Sequence, residues 1–231
     1  MFKGKLPMCI SYNDVLKRLI EERNRMAWSQ KEMSQHIHMN QSNYSKVELG
    51  LRRLSYYEVK HLYEVGVDVY YIYTGQRSNG RYSDFLIQCS YAELLCFLNV
   101  LYSIALMRNQ KETSDKWEEI LARLKYFSLK EKNQQFNNIF LLLRHSMGWQ
   151  QKKMAEKLGV DIKKLRDLEN GRKLPDSELL SRLYERFHVS PAIVLENKKG
   201  LESEIAVSLE KMSMEDEQQI FEILTLLHSM N

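Results

Sequence analysis

The chain has 231 residues, of which 44% are hydrophobic and 28% charged, and a formal net charge of +4. These values are ordinary for a globular protein, and the modest basicity permits a nucleic-acid partner without demanding one. Nine glycines and three prolines are too few for a turn-rich β-sandwich or barrel. Long unbroken stretches of Leu, Glu, Lys, Gln and Met favour an all-α fold instead.

In chain order, Val15, Leu16, Leu19 and Ile20 recur at helical spacing and predict a first amphipathic helix. Ser29 with Glu32 caps a short second helix reaching about Ile37. His38-Met39 is a tight turn, and Asn40 caps a third helix, Gln41 to Leu49, stopped by Gly50. Ser55 opens a fourth helix with Val59, Leu62 and Tyr63 inward. A fifth runs from Asp68 to about Tyr73 and ends at Gly75. Five short helices in residues 11–75 make a small bundle.

Residues 76–132 form a helical connecting segment. Within it, Phe85 to Met107 is apolar nearly all round and is expected to be buried. Trp117, Ile120, Leu121 and Leu124 mark another helix there. A second bundle is expected over residues 133–197. Phe140 and Leu143 line its first helix, Met154 and Leu158 its second, and Leu165 and Leu168 its third. Gly159 sits in the tight turn and Pro191 at the start of helix five. Residues 198–231 form a helical tail, with Ser213 as a cap and an apolar stretch from Ile220 to Met230.

The two bundles are related in sequence. Trp28-Ser29-Gln30-Lys31-Glu32-Met33-Ser34 aligns with Trp149-Gln150-Gln151-Lys152-Lys153-Met154-Ala155, an offset of 121 residues. The same offset places Ile37 on Leu158, Tyr44 on Leu165, Val47 on Leu168, Glu48 on Glu169 and Gly50 on Gly171. Apolar positions coincide and polar ones mostly differ, as two copies of one fold with diverged surfaces would. After each bundle a capped helical run follows, Ser90-Tyr91-Ala92-Glu93 opening one with Phe97, Val100 and Leu101 and Ser213-Met214-Glu215-Asp216 one with Ile220, Ile223 and Leu224, so the unit extends to a head and a tail, repeated twice.

The run Trp28-Ser29-Gln30…Met33-Ser34…Ile37-His38-Met39…Tyr44-Ser45-Lys46-Val47-Glu48-Leu49-Gly50 resembles the Cro/CI-type (XRE) helix-turn-helix family. Leu143-Arg144…Gly148-Trp149-Gln150-Gln151…Leu158-Gly159-Val160…Leu168-Glu169-Asn170-Gly171 resembles it again. The first copy departs from the pattern at His38 and at Glu22, which stands where the second has Leu143. The resemblance implies two lambda-repressor-like five-helix DNA-binding domains and a sequence-specific transcriptional regulator, a repressor by analogy, whose partner is double-stranded DNA.

In such a module the third helix enters the major groove. In the first copy its candidate readers are Gln41, Ser42, Asn43, Ser45 and Lys46; Gln and Asn suit adenine and Lys suits guanine. Gln30 resembles the family's phosphate-anchoring glutamine, and Gln151 is its counterpart. Arg52 and Arg53 are expected on backbone phosphates. In the second copy Lys163, Lys164 and Arg166 occupy reading positions, with Arg172 and Lys173 beyond them. Ile162 cannot form a bidentate pair, and Asp161 and Asp167 bring negative charge, so specificity is expected mainly from the first copy. The resemblance also makes Glu48 and Glu169 structural acids paired with Arg23 and Arg144. Trp28 and Trp149 are expected as core plugs.

Other chemistry is not legible. His36 and His38 do not share a helix face, so no metal site is expected. No phosphate loop, Ser-His-Asp order or paired-carboxylate site occurs, so neither an enzyme nor a cofactor is expected. Cys9, Cys89 and Cys96 form no ligand pattern. The apolar setting of Cys89 and Cys96 predicts buried, reduced thiols. With no leader-like N-terminus and no apolar run of membrane length, a cytoplasmic protein with no membrane contact is expected. Two heads in one chain suit a covalent pseudo-dimer reading major-groove segments roughly 34 Å apart; alternatively the tails join chains into a homodimer with four heads. A protein–protein adaptor or antitoxin-like module, and a peptide- or ligand-sensing regulator, are the competing functions.

Overall fold

The computed structural model describes residues 11–108, 138–187 and 189–230. Cys9, the helix expected around Trp117 to Leu124 and His188 lie outside the described residues. The described residues are all-helical. The first bundle holds α1 (Tyr12–Arg25), α2 (Gln30–His36), α3 (Gln41–Glu48), α4 (Tyr56–Glu64) and α5 (Val69–Thr74). The second holds α8 (Ile139–Ser146), α9 (Gln151–Leu158), α10 (Ile162–Glu169), α11 (Ser177–Phe187) and α12 (Pro191–Val194). Between them lie α6 (Ser83–Leu86) and α7 (Tyr91–Arg108), and α13 (Lys198–Glu210) and α14 (Met214–Ser229) follow the second.

Local chemistry fixes these boundaries. Ser11, Ser29 and Ser55 each form a capping box with an acid three residues on, satisfying amide groups that a helix start leaves bare. Asn40 and Asp161 cap α3 and α10 by accepting from the amides of Asn43 and Lys164, at 2.8 and 2.7 Å. The apolar stretch from Phe85 is divided between α6 and α7 at the cap expected at Ser90. Ser90 accepts from the Glu93 amide and Glu93 accepts from the Ser90 amide, so α7 starts afresh at Tyr91.

The backbone repeats at the sequence offset. Left-handed residues occur at Ala27 and Gly148, His38 and Gly159, Gly50 and Gly171, and Gly75 and Glu196, each pair 121 positions apart. Only glycine adopts this conformation without steric cost, yet three of these pairs hold it with one non-glycine member. The turn therefore belongs to the fold rather than to the residue.

The bundles share a core. Val15, Leu19, Met33, Ile37, Tyr44, Val47, Val59 and Leu62 pack together, and Leu180, Tyr184 and Leu195 from α11 and the end of α12 complete their cluster. A second cluster joins α8–α12 to Leu86, Leu94, Phe97, Leu98 and Leu101 of the connecting segment and to Leu201, Ile205, Leu209, Ile220 and Leu224 of the tail. Helix α13 lies against α5, α6, α7, α12 and α14. It approaches so closely at Gly200 that an added Cβ would come within 2.5 Å of the Ala192 Cβ and 2.6 Å of the Tyr63 hydroxyl.

Two burial expectations are corrected. Cys89 is buried but Cys96 is exposed, because Leu94, Phe97, Leu98 and Leu101 take the buried face of α7 and Cys96 falls outside it. Trp28 and Trp149 are half-buried at the core's edge. Trp28 stacks on His36 at 4.0 Å, and Lys153 lies 4.6 Å over the Trp149 ring. Helix α14 buries Ile220 and Leu224 but exposes Ile223, Leu226 and Met230. No helix among the described residues is long and apolar enough to cross a membrane.

Candidate nucleic-acid interface

Helix α3 is held from beneath and open above. Tyr44 and Val47 point into the core with no exposed surface, and burial, then the Glu48 carboxylate, pushes the Tyr44 phenol pKa well up. Gln41, Ser42 and Lys46 are exposed, while Asn43 and Ser45 are half-exposed. The five residues expected to read bases therefore lie on the solvent side of the helix. Gly50, at φ 73°, ends it by letting the Leu51 amide donate back to the Lys46 carbonyl at 2.8 Å.

Beneath α3 a polar triad joins three helices. Arg23 of α1 donates through Nε to Glu48 Oε1 at 2.6 Å and through Nη1 to the Trp28 carbonyl at 2.8 Å. Gln30 of α2 donates through Nε2 to Glu48 Oε2 at 2.7 Å. The carboxylate raises the Arg23 pKa, so this ion pair persists across the working pH range. Gln30 therefore does not stand free at the helix start: one amide hydrogen is given to Glu48, which leaves the other for an outside acceptor.

The second bundle builds the same triad at the same offset. Arg144 pairs with Glu169 and donates to the Trp149 carbonyl at 3.3 Å, while Gln151 donates to Glu169 Oε2 at 2.7 Å. Above it α10 exposes Ile162, Lys163 and Arg166 and buries Leu165 and Leu168. The Asp161 carboxyl is held low chiefly by the Lys164 amide, which fixes its charge at the start of α10.

Several expected phosphate contacts already have partners. Arg52 pairs with Glu58 at 2.8 Å, and Arg53 pairs with Glu178 of the second bundle. Lys164 lies 3.3 Å from Asp176, Lys173 3.1 Å from Asp167 and Arg172 3.9 Å from Asp167. Lys46, Lys163 and Arg166 have no ion pair with another described residue. The sequence missed the pairings of Arg52, Arg53 and Lys164 because Glu58 and Glu178 lie in the fourth helices and Asp176 just before one, and the approach of those helices to the third is a tertiary matter.

The comparison with protein-family models decides the class of the second bundle. Residues 141–194 match the helix-turn-helix family model. The matched segment runs from within α8 to the end of α12, and so contains the Arg144–Gln151–Glu169 triad and all of α10. It supports the XRE-type helix-turn-helix family and a DNA-binding transcription regulator. The helix-turn-helix match falls on the copy that keeps Leu143 and Gly159, where the first has Glu22 and His38. Comparisons with curated proteins and with solved structures returned no match.

Proposed function

We propose that this chain is a sequence-specific transcriptional regulator, acting as a repressor, that reads double-stranded DNA with two helix-turn-helix heads, residues 11–75 and 133–197. The observation that carries this reading is the duplicated Arg–Gln–Glu triad under a third helix whose outer face is open. The four left-handed turns shared at the same offset support descent of both heads from one unit.

In the first head, Gln41 and Asn43 present the paired donor and acceptor that adenine matches, and Lys46 presents a cation to guanine. In the second, Lys163 and Arg166 supply the cations, and Ile162 is placed for a thymine methyl group. The second amide hydrogen of Gln30 and Gln151 would meet a phosphate beside the start of α2 and α9. Neither a cofactor nor a catalytic step is part of this reading, and the cytosol is its setting. Homodimerisation, where it occurs, would use the exposed Ile223, Leu226 and Met230 face of α14.

The test is selection of bound sequences from random duplex DNA, repeated with Gln41, Asn43 and Lys46 changed to alanine. The variant should lose part of the selected motif while keeping its thermal unfolding profile. An unchanged motif at unchanged strength would favour the adaptor reading, which draws support from the carboxylates already occupying Arg52, Arg53, Lys164 and Lys173.

A further inference from the structure

The contact between the two bundles has the form of a twofold interface built inside one chain. Helix α5 packs against α12, its counterpart at the 121-residue offset. Tyr73 of the first bundle donates its hydroxyl to the Ser177 carbonyl at 3.3 Å, and Ser177 is the counterpart of Tyr56. In return Tyr56 and Val194, the counterpart of Tyr73, both pack against the cluster that holds Tyr73. Contacts that recur with the partners exchanged are the mark of a self-complementary, twofold patch.

Asymmetric contacts then lock this pair. Ser177 is almost wholly buried, and its hydroxyl lies 2.6 Å from the Tyr12 hydroxyl and accepts from the Leu54 amide at 3.1 Å. Its own amide donates to the Leu54 carbonyl at 2.9 Å. Arg53 pairs with Glu178 one residue on. The segment leaving the first bundle is fastened to the tail as well: Glu210 accepts from the Ser78 hydroxyl at 2.8 Å and from the Asn79 amide, and Glu217 accepts from Arg81 and Tyr82. At Gly200 the tail touches Tyr63 of one bundle and Ala192 of the other.

We propose that the two heads are a preassembled pair, so that one chain is the complete reader of a bipartite duplex site with unlike half-sites at one fixed spacing. This rests on the DNA-reading function above. The fixed spacing follows from the lock, and the inequality of the half-sites from the different residues at matching positions: Gln41 against Ile162, Ser42 against Lys163, Asn43 against Lys164 and Ser45 against Arg166.

Two measurements on the full chain test the proposal. First, spin labels on Ser42→Cys and Lys163→Cys, in a Cys9→Ser, Cys96→Ser background that keeps buried Cys89, should give one narrow distance distribution without DNA. A broad distribution overturns the proposal. Second, a selected duplex should bind one chain, and inserting five base pairs between its half-sites, about half a helical turn, should weaken binding at least tenfold. Equal affinity for both spacings, or two chains per bipartite site, overturns the preassembled pair and leaves the DNA-reading function standing. Failure to bind any duplex overturns that function and this proposal with it.

Discussion

Ala27 and Gly148 hold the same left-handed backbone conformation, at φ 55° and φ 62°, at matching positions of the two bundles. An L-residue with a Cβ is disfavoured there by roughly 1–2 kcal/mol, while glycine loses more entropy on folding, about 0.4–1 kcal/mol. The balance favours glycine. Ala27→Gly should stabilise the chain by about 0.5–1 kcal/mol, and Gly148→Ala should destabilise it by a similar amount. Urea unfolding of both variants measures this; shifts of the same sign would show that the two turns are not equivalent. His38, at φ 57° opposite Gly159, is a less clean test because its ring also makes an edge contact with His61 at 4.6 Å.

Glu22 replaces the apolar Leu143 of the second copy and is fully buried. It accepts from Arg25 at 2.9 Å, from Arg77, and from the Asp68 amide at 2.9 Å. Burial alone would raise its carboxyl pKa, but the hydrogen bonds from Arg25, Arg77 and the Asp68 amide outweigh it and hold the pKa below the ordinary value. A depressed folded-state pKa means stability that is present above the unfolded pKa, about 4.3, and is lost as pH falls through the folded one. Glu22→Gln should therefore cost about 2–3 kcal/mol at pH 7, the scale of a hydrogen bond to a charged group. The gap to the parent should close below about pH 4. Thermal unfolding across pH 3–8 measures this, and a gap that persisted at low pH would place the effect in packing.

The sequence made the local features of this molecule readable. Ser29, Asn40 and Gly50 act within one helical turn of themselves, so composition and spacing suffice to place them. The Arg23–Glu48 and Arg144–Glu169 pairs came through family resemblance, since nothing local ties α1 to the end of α3. The site's electrostatics were less legible. Arg53 reads as a phosphate anchor until Glu178, 125 residues away, is brought against it, and Ser177 carries no signal of its role between the bundles. Exposure of Cys96 was equally hidden, because α7 is apolar nearly all round and periodicity cannot say which of its sides is buried.

The thiols give a direct check on that helix and the turn before it. Cys96 is exposed, whereas Cys89 is buried and burial pushes its thiol pKa up to about 11. In a Cys9→Ser variant one thiol should react with a disulfide reagent at pH 8 in the folded protein and two in denaturant. Thiolate is the attacking species, so Cys89 is slowed by both access and ionisation. Rapid reaction of both thiols in the native state would mean that α14, whose His228 lies 3.9 Å from the Cys89 sulfur, separates in solution from the turn between α6 and α7.

The ion pairs around the two third helices predict how binding depends on salt. Each phosphate neutralised by a protein cation contributes about 0.9 to the slope of log affinity against log salt concentration. Lys163 and Arg166 are exposed and have no ion pair with another described residue, so both are available for phosphates or base edges. Arg53 faces Glu178 and must leave it before meeting a phosphate. Changing Lys163 and Arg166 together to alanine should flatten the slope by up to about 1.8, whereas Arg53→Ala should change it by well under 0.9 while loosening the contact between the bundles. Titrations at four salt concentrations separate the cases. A full 0.9 loss at Arg53 would mean that the Glu178 pair opens on DNA and that the charge between the bundles is shared with the ligand.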